Sequence, residues 1–127
     1  MRFIPPAIAL AAVVASTLTL ADTPAGRHIK TTGDLVELCS VGADDPSFAA
    51  AMGFCLGYID ATLDYHESLT LGAKYGPIAC PHTEVTRKEV VTVFLEWSKQ
   101  NPQYLETETP VQGVMRALFE KWPCSGR

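Results

Sequence analysis

The stretch FAAAMGFCLGYIDATLDYHE, residues 48–67, decides the fold of this 127-residue chain. Read at 3.6 residues per turn, it places apolar side chains along one stripe, which is the pattern of an amphipathic helix. The members of this stripe are Phe48, Met52, Cys55, Ile59 and Leu63. Polar residues in the second half, including Asp60 and Asp64, exclude a membrane-spanning helix. We therefore predict a long amphipathic helix with a cysteine on its apolar side.

A row of small residues runs along the same stretch at four-residue spacing. Its members are Ala49, Gly53, Gly57 and Ala61. Residues four apart share one helix face, so the row forms a flat ridge that another backbone can approach closely. Each glycine costs about 1 kcal/mol relative to alanine inside a helix, and this cost favours a packing role. We predict that the row is a helix-packing face.

The first 21 residues have the pattern of an export signal. Arg2 supplies the positive charge, residues 7–20 form an apolar segment that is short for a membrane helix, and a small-residue cleavage site ends at Ala21. An uncleaved anchor is the alternative. This pattern divides the chain into a signal peptide (1–21), a flexible leader (22–30) and one domain (31–127).

All four cysteines lie in the predicted domain: Cys39, Cys55, Cys80 and Cys124. An even number of cysteines in a small exported chain indicates two disulfides, which allows three pairings. The chain has no C-x-x-C motif, and we predict neither a metal site nor a cofactor. The formal net charge of −4 argues against nucleic acid as a partner and is compatible with a basic protein.

Local signals mark the ends of four helices. In chain order, the predicted starts are Thr31 or Thr32, Asp45-Pro46, the capping box Thr86 to Glu89, and Thr109-Pro110. The predicted ends are Cys39, His66 or Ser68, Lys99, and the residue before Pro123. The apolar face of the fourth helix comprises Val111, Val114, Met115, Leu118, Phe119 and Trp122. We find no strand pattern and predict an all-α fold, a small bundle of four or five helices with two disulfides, after an N-terminal signal peptide.

Antiparallel packing of neighbouring helices selects one of the three cysteine pairings. Cys39 ends the first helix and Cys55 lies between two and three turns into the second, so the two meet in an antiparallel hairpin. Cys80 precedes the third helix and Cys124 follows the fourth, so these ends also meet. We predict the bridges Cys39–Cys55 and Cys80–Cys124.

The candidate catalytic groups cluster near the end of the second helix. They are Asp60, Asp64, His66 and Glu67. Paired carboxylates can serve acid–base catalysis or bind a cation together with a histidine, but such a cluster is more often a solvated helix face. The chain has no glycine-rich phosphate loop, no G-x-S-x-G and no H-E-x-x-H. We therefore predict no catalytic residue.

Four motifs together resemble those of a known family. They are T-x-x-D-L-x-x-x-C (residues 31–39), F-C-L-G-Y-I (54–59), C-P-H-T-E-V-T (80–86) and L-F-E-K-W-P-C (118–124). In this order and behind a signal peptide, they resemble the Rap/Tai family of type VI secretion immunity proteins. One departure is Asp60, where the family pattern has a small residue.

The resemblance implies a small helical periplasmic protein that has no enzymatic activity. Such a protein binds a secreted peptidoglycan amidase effector and occludes its active-site cleft; family members are often homodimers. No membrane association is expected after signal cleavage. The shared motifs do not contain the contact residues, which we place on two loops, residues 69–78 and 99–106. The predicted toxin-binding residues are Lys74, Tyr75, Gln100, Asn101 and Tyr104.

Two alternatives come from other functional classes. A small periplasmic chaperone of the acid-stress type is also helical, exported and disulfide-bonded, and it would expose apolar surface at low pH. An enzyme would use the acidic cluster that contains Asp60 and His66.

Overall fold

Four α-helices make up most of the chain that the structure describes. A computed structural model describes residues 29–72 and 74–125, so the predicted signal peptide and residues 22–28 of the leader lie outside the described residues. The elements are α1 (Thr32–Cys39), α2 (Phe48–Thr70), α3 (Arg87–Gln100), a short 3-10 helix (Pro102–Tyr104) and α4 (Pro110–Lys121). Within the described ranges no strand forms, and one isolated backbone bridge joins Ala79 and Pro123. This confirms the predicted all-α fold.

α1 begins at a complete capping box. The Thr31 hydroxyl accepts a hydrogen bond from the Asp34 N–H (3.2 Å), and the Asp34 carboxylate accepts one from the Thr31 N–H (2.9 Å). The carboxylate also accepts from the Lys30 N–H (2.8 Å). These backbone hydrogen bonds, that from Lys30 foremost, lower the pKa of the Asp34 carboxyl.

α2 begins later than predicted, at Phe48 instead of Asp45-Pro46. The Asp45 carboxylate accepts hydrogen bonds from both the N–H and the hydroxyl of Ser47, at 2.7 Å each. The aspartate is therefore occupied by a local turn and does not cap a helix. At its other end α2 continues to Thr70, past the predicted end at His66 or Ser68, and the Thr70 hydroxyl bonds to the carbonyl one turn back.

The core lies where all four helices meet. Its largest fully buried side chains include Phe94, Leu35, Ile59 and Leu118, each of which contributes about 1.5–3 kcal/mol by burial. The buried stripe of α2 consists of Ala51, Cys55, Ile59 and Thr62. It is rotated from the predicted stripe, whose members Phe48, Met52 and Leu63 are half-buried at its margin.

The small-residue row of α2 faces away from this core. Ala49, Gly53, Gly57 and Ala61 are all exposed, and a Cβ at either glycine would meet nothing within 4 Å. The row is offset by two residues from the buried stripe, and two steps of about 100° place it on the opposite side of the helix. Within the described chain the row therefore carries no helix–helix contact. Its role in packing against another molecule stays a prediction.

α1 and α4 approach each other closely at Thr32 and Gly113. Thr32 is fully buried, and its hydroxyl donates to the carbonyl of Thr109 (2.9 Å). Its N–H donates to the carbonyl of Glu108 (2.8 Å). A Cβ at position 113 would overlap the Thr32 side chain, so the contact requires glycine.

Two disulfides link the helices in the pairing that the sequence predicts. Cys39–Cys55 joins the end of α1 to the first half of α2, and Cys80–Cys124 joins the segment before α3 to the segment after α4. In the loop-entropy account each bridge stabilises the fold by about 3–4 kcal/mol. The first bridge is buried in the core, whereas Cys80 is exposed and Cys124 half-buried.

Candidate protein-binding surface

α4 carries more apolar side chains than the core covers. It buries Pro110, Gly113, Val114, Ala117 and Leu118, which follow one another at the spacing of a helix face. Val111, Met115 and Phe119 form a second apolar row beside this face. Val111 is 40% and Phe119 is 48% exposed, so the predicted apolar face was too wide. The missed signal is the four-residue spacing of this second row.

An open groove lies beside Phe119. We call it the α4 groove; its volume is about 340 Å³, and it is lined by Ile78, Gln112, Met115, Arg116 and Phe119. Ile78 belongs to the segment between α2 and α3 and is 47% exposed. Two large apolar side chains from different parts of the chain are therefore exposed on the same groove, as at protein-binding sites.

The segment that brings Ile78 to α4 is the contact loop, which we define as residues 71–72 and 74–78. The Ile78 N–H donates to the Nε2 atom of His66 on α2 (2.9 Å). Directly after the loop, Ala79 is buried and bridges to Pro123, and the Cys80 N–H donates to the carbonyl of Trp122 (2.9 Å). The C-terminal end of the contact loop is therefore fixed to both α2 and the end of α4.

Lys74 and Tyr75 lie on the exposed part of the contact loop, as predicted for a loop tip. Tyr75 is 55% exposed, and the Lys74 ammonium lies 5.3 Å from the centre of its ring. Both residues line a second hollow of about 500 Å³ together with Leu69 and Ile78. Ile78 also lines the α4 groove, so the two hollows share this side chain.

The second predicted loop is built differently. Gln100 is exposed, but Asn101 is half-buried and donates its side-chain amide to the carbonyl of Trp97 (3.0 Å). The Tyr104 ring stacks on Trp97, with ring centres 6.0 Å apart and planes 6° apart. Asn101 and Tyr104 therefore hold the end of α3, and Gln100 is the exposed residue among the three predicted contact residues of this loop.

Arg116 connects the two regions. Its guanidinium lies 4.5 Å from the centre of the Tyr104 ring, and the same side chain lines the α4 groove. It also forms a bidentate pair with the Glu108 carboxylate, with contacts of 2.6–2.8 Å. The hydrogen bonds to Glu108 raise the pKa of Arg116 further above its usual value, so the groove has a permanent cation at its edge.

The acidic cluster of α2 is dispersed in the structure. Asp60 pairs with Arg87 at the start of α3 (3.0 Å), whereas Asp64 and Glu67 are exposed. His66 is engaged by Ile78, and partial burial lowers the pKa of its imidazole. Among residues 29–72 and 74–125, no three acidic, histidine or cysteine side chains converge as metal ligands.

Another apolar groove lies between α2 and α3. It has a volume of about 380 Å³, and its lining includes Phe48, Met52, Leu56, Val91 and Leu95.

None of the helices in the described ranges is both long and apolar enough to cross a membrane.

Comparison with known proteins agrees with the resemblance noted in the motifs. A family model for Rap1a immunity proteins matches residues 31–124, which includes all four helices and both disulfides. No curated protein and no solved structure shows significant similarity to the chain.

Proposed function

The chain belongs to the Rap1a family of immunity proteins, and we propose that it protects the periplasm of the producing cell against a type VI secreted peptidoglycan amidase. In this proposal the protein binds the amidase effector and occludes its active-site cleft. The observation that carries the proposal is the exposed surface of the contact loop and the α4 groove, which share the side chain of Ile78. In this proposal the protein has no enzymatic activity of its own and needs no cofactor.

The rigidity of this surface supports an inhibitory role. Tyr75, Ile78 and Phe119 are each about half exposed, and large side chains of this kind supply most of the binding energy in protein interfaces. The contact loop is already held by the His66 hydrogen bond and by the Cys80–Cys124 disulfide. A preformed loop loses little conformational entropy on binding, so more of the contact energy appears as affinity.

The charge of the protein supports the choice of partner. An amidase that holds an anionic cell-wall polymer has a basic cleft, and this chain has a formal net charge of −4. Opposite net charges accelerate association and favour the correct partner.

The remaining parts of the proposal concern export and assembly. The signal peptide (residues 1–21) is removed near Ala21, residues 22–30 serve as a leader, and the mature protein has no membrane or nucleic-acid partner. A homodimer would use the exposed row on α2, because a second helix can approach Gly53 and Gly57 without meeting a side chain.

The proposal is tested with a purified type VI secreted peptidoglycan amidase from the producing organism. The purified, oxidised protein is expected to bind this enzyme and to stop its hydrolysis of peptidoglycan. Ile78→Ser and Phe119→Ser should each weaken binding at least roughly tenfold, because each removes an exposed apolar anchor. Tyr75→Ala combined with Tyr104→Ala should have an effect of similar size.

Val111→Ser is the matched control, because Val111 is an exposed apolar residue of the same helix that does not line the α4 groove. Its affinity should stay within about twofold of the wild-type value. Unchanged affinity in Ile78→Ser and Phe119→Ser would exclude this surface. Hydrolysis that continues at saturating wild-type protein would exclude the proposed function.

A further inference from the structure

We propose that Cys80–Cys124 is an exchangeable disulfide that dithiol reductants open while the protein stays folded, and that Cys39–Cys55 is closed to them. The two bridges differ first in burial. Cys39 is 3% and Cys55 is 0% exposed, and both belong to the hydrophobic core. Cys80 is exposed, and Cys124 is half-buried.

The chain segments around the two bridges also differ in how easily solvent reaches them. Cys39 and Cys55 both lie within helices, α1 and α2, so access to their bond requires movement of packed helices. Cys39 borders the apolar groove between α2 and α3 but remains covered there. Cys80 and Cys124 lie outside the four helices, and their neighbours Pro81 and Pro123 are exposed. A thiolate can therefore approach this bond from solvent.

The chemistry is ordinary thiol–disulfide exchange. A thiolate of the reductant attacks the sulfur of Cys80, the more exposed residue of the pair, and Cys124 leaves as a thiolate that takes up a proton. The second thiol of the reductant then attacks the mixed disulfide and releases Cys80 as a thiol. The protein gains two electrons and two protons, and the dithiol is oxidised to a disulfide.

Opening this bridge would affect the contact loop, and this part of the inference rests on the proposed function. The bridge closes the segment that carries Ile78 onto the end of α4. After reduction, the link there depends on the Cys80 N–H to Trp122 carbonyl hydrogen bond and on the bridge between Ala79 and Pro123. The segment then keeps only these links and the hydrogen bond from the Ile78 N–H to His66, so its position beside α4 is less restricted and reduction acts as a switch that weakens inhibition.

The test measures each bridge separately in the full mature protein. Samples are exposed to dithiothreitol, quenched by alkylation at successive times, and analysed by peptide mass spectrometry. The alkylation of Cys80 and Cys124 is expected to be at least roughly tenfold faster than that of Cys39 and Cys55. The alkylation rate of Cys80 and Cys124 should be proportional to the concentration of dithiothreitol and insensitive to low concentrations of urea.

The rate for Cys39 and Cys55 should rise steeply with urea, because their bond is reached only by unfolding. Equal rates for both pairs, faster alkylation of Cys39 and Cys55, or resistance of both bridges would each overturn the proposal. This assay needs no partner protein, so its result is independent of the proposed function.

The consequence for binding is tested with one double variant and with selective reduction of the wild-type protein. Cys80→Ser with Cys124→Ser should weaken inhibition of the amidase at least roughly tenfold while circular dichroism stays helical. Selective reduction of the wild-type protein should have the same effect. Unchanged inhibition after selective reduction would remove the switch. Failure of the oxidised wild-type protein to inhibit would instead remove the proposed function.

Discussion

The Nε2 atom of His66 accepts a hydrogen bond from the backbone N–H of Ile78, 12 residues later in the chain, at a distance of 2.9 Å. This bond fixes the contact loop to α2 beside the exposed side chain of Ile78. Only a neutral imidazole can accept it, since a protonated histidine carries a proton on both ring nitrogens. Partial burial lowers the pKa of His66 and so keeps the acceptor available at neutral pH.

This hydrogen bond predicts a pH dependence. Above pH 6.5, the ordinary pKa of histidine, His66 is neutral in both the folded and the unfolded chain, and its contribution to stability is complete. Below that pH the unfolded chain binds a proton first, because the folded pKa is lower, so stability falls until the pH passes below the folded pKa. The Ile78 amide resonance in NMR spectra should shift over the same interval. His66→Ala should remove this pH dependence, and His82→Ala should retain it.

The contact between Thr32 and Gly113 predicts opposite effects for two similar substitutions. In Gly113→Ala the new methyl group would lie 2.5 Å from the Thr32 hydroxyl oxygen, and Thr32 is fixed by its hydrogen bonds. We expect a loss of about 1–3 kcal/mol in the free energy of unfolding, measured in urea. Gly53→Ala has free space on α2 and should instead stabilise the chain by up to about 1 kcal/mol. A stable Gly113→Ala protein would contradict the close approach of α1 and α4.

The two tyrosines that we predict to bind the toxin, Tyr75 and Tyr104, should differ in how much each contributes to stability. Tyr104→Ala removes a ring that lies between Trp97 and Arg116, so we expect a loss of about 1–2 kcal/mol. Tyr75→Ala removes a side chain that is 55% exposed and should change stability by less than about 0.5 kcal/mol. Thermal unfolding of the two single variants provides the comparison. Equal losses would contradict either the stacked position of the Tyr104 ring or the exposed position of the Tyr75 ring.

The ion pair between Asp60 and Arg87 should contribute little to stability. The side chains are 26% and 70% exposed, and pairs of this kind contribute less than about 1 kcal/mol. Asp60→Asn should therefore lower the urea midpoint slightly, and 1 M salt should abolish the difference. Asp64→Asn is the control and should have no effect. A loss of stability well above about 1 kcal/mol for Asp60→Asn would contradict the weak, partly exposed ion pair with Arg87.

Local chemistry made the helix starts at Thr31, Thr86 and Thr109 predictable. In each case a hydroxyl or amide group three residues away engages the backbone of the first turn, and this interaction depends little on the rest of the fold. At Thr86 only half of the predicted capping box forms: the Thr86 hydroxyl accepts from the Glu89 N–H, and the reciprocal bond from the Thr86 N–H to the Glu89 carboxylate does not form. The predicted start of α2 at Asp45-Pro46 was wrong, because the Asp45 carboxylate accepts hydrogen bonds from Ser47, only two residues away, and does not cap the helix. An aspartate can accept backbone hydrogen bonds either as a helix N-cap or in a local turn, and the sequence does not distinguish these two structures.

The sequence by itself determined the helical class, the cysteine pairing and the loop that carries Tyr75, because these depend on periodicity, on chain order and on glycine and proline. Only the tertiary structure decided which side of each helix is covered. α2 has apolar or small residues on most of its surface, and the positions of α1 and α3 select the stripe with Cys55 and leave the row with Gly53 exposed. The α4 groove likewise is lined by Ile78 and Phe119, which are distant in the chain. Contacts of this range depend on how whole helices pack, which no local stretch of sequence contains.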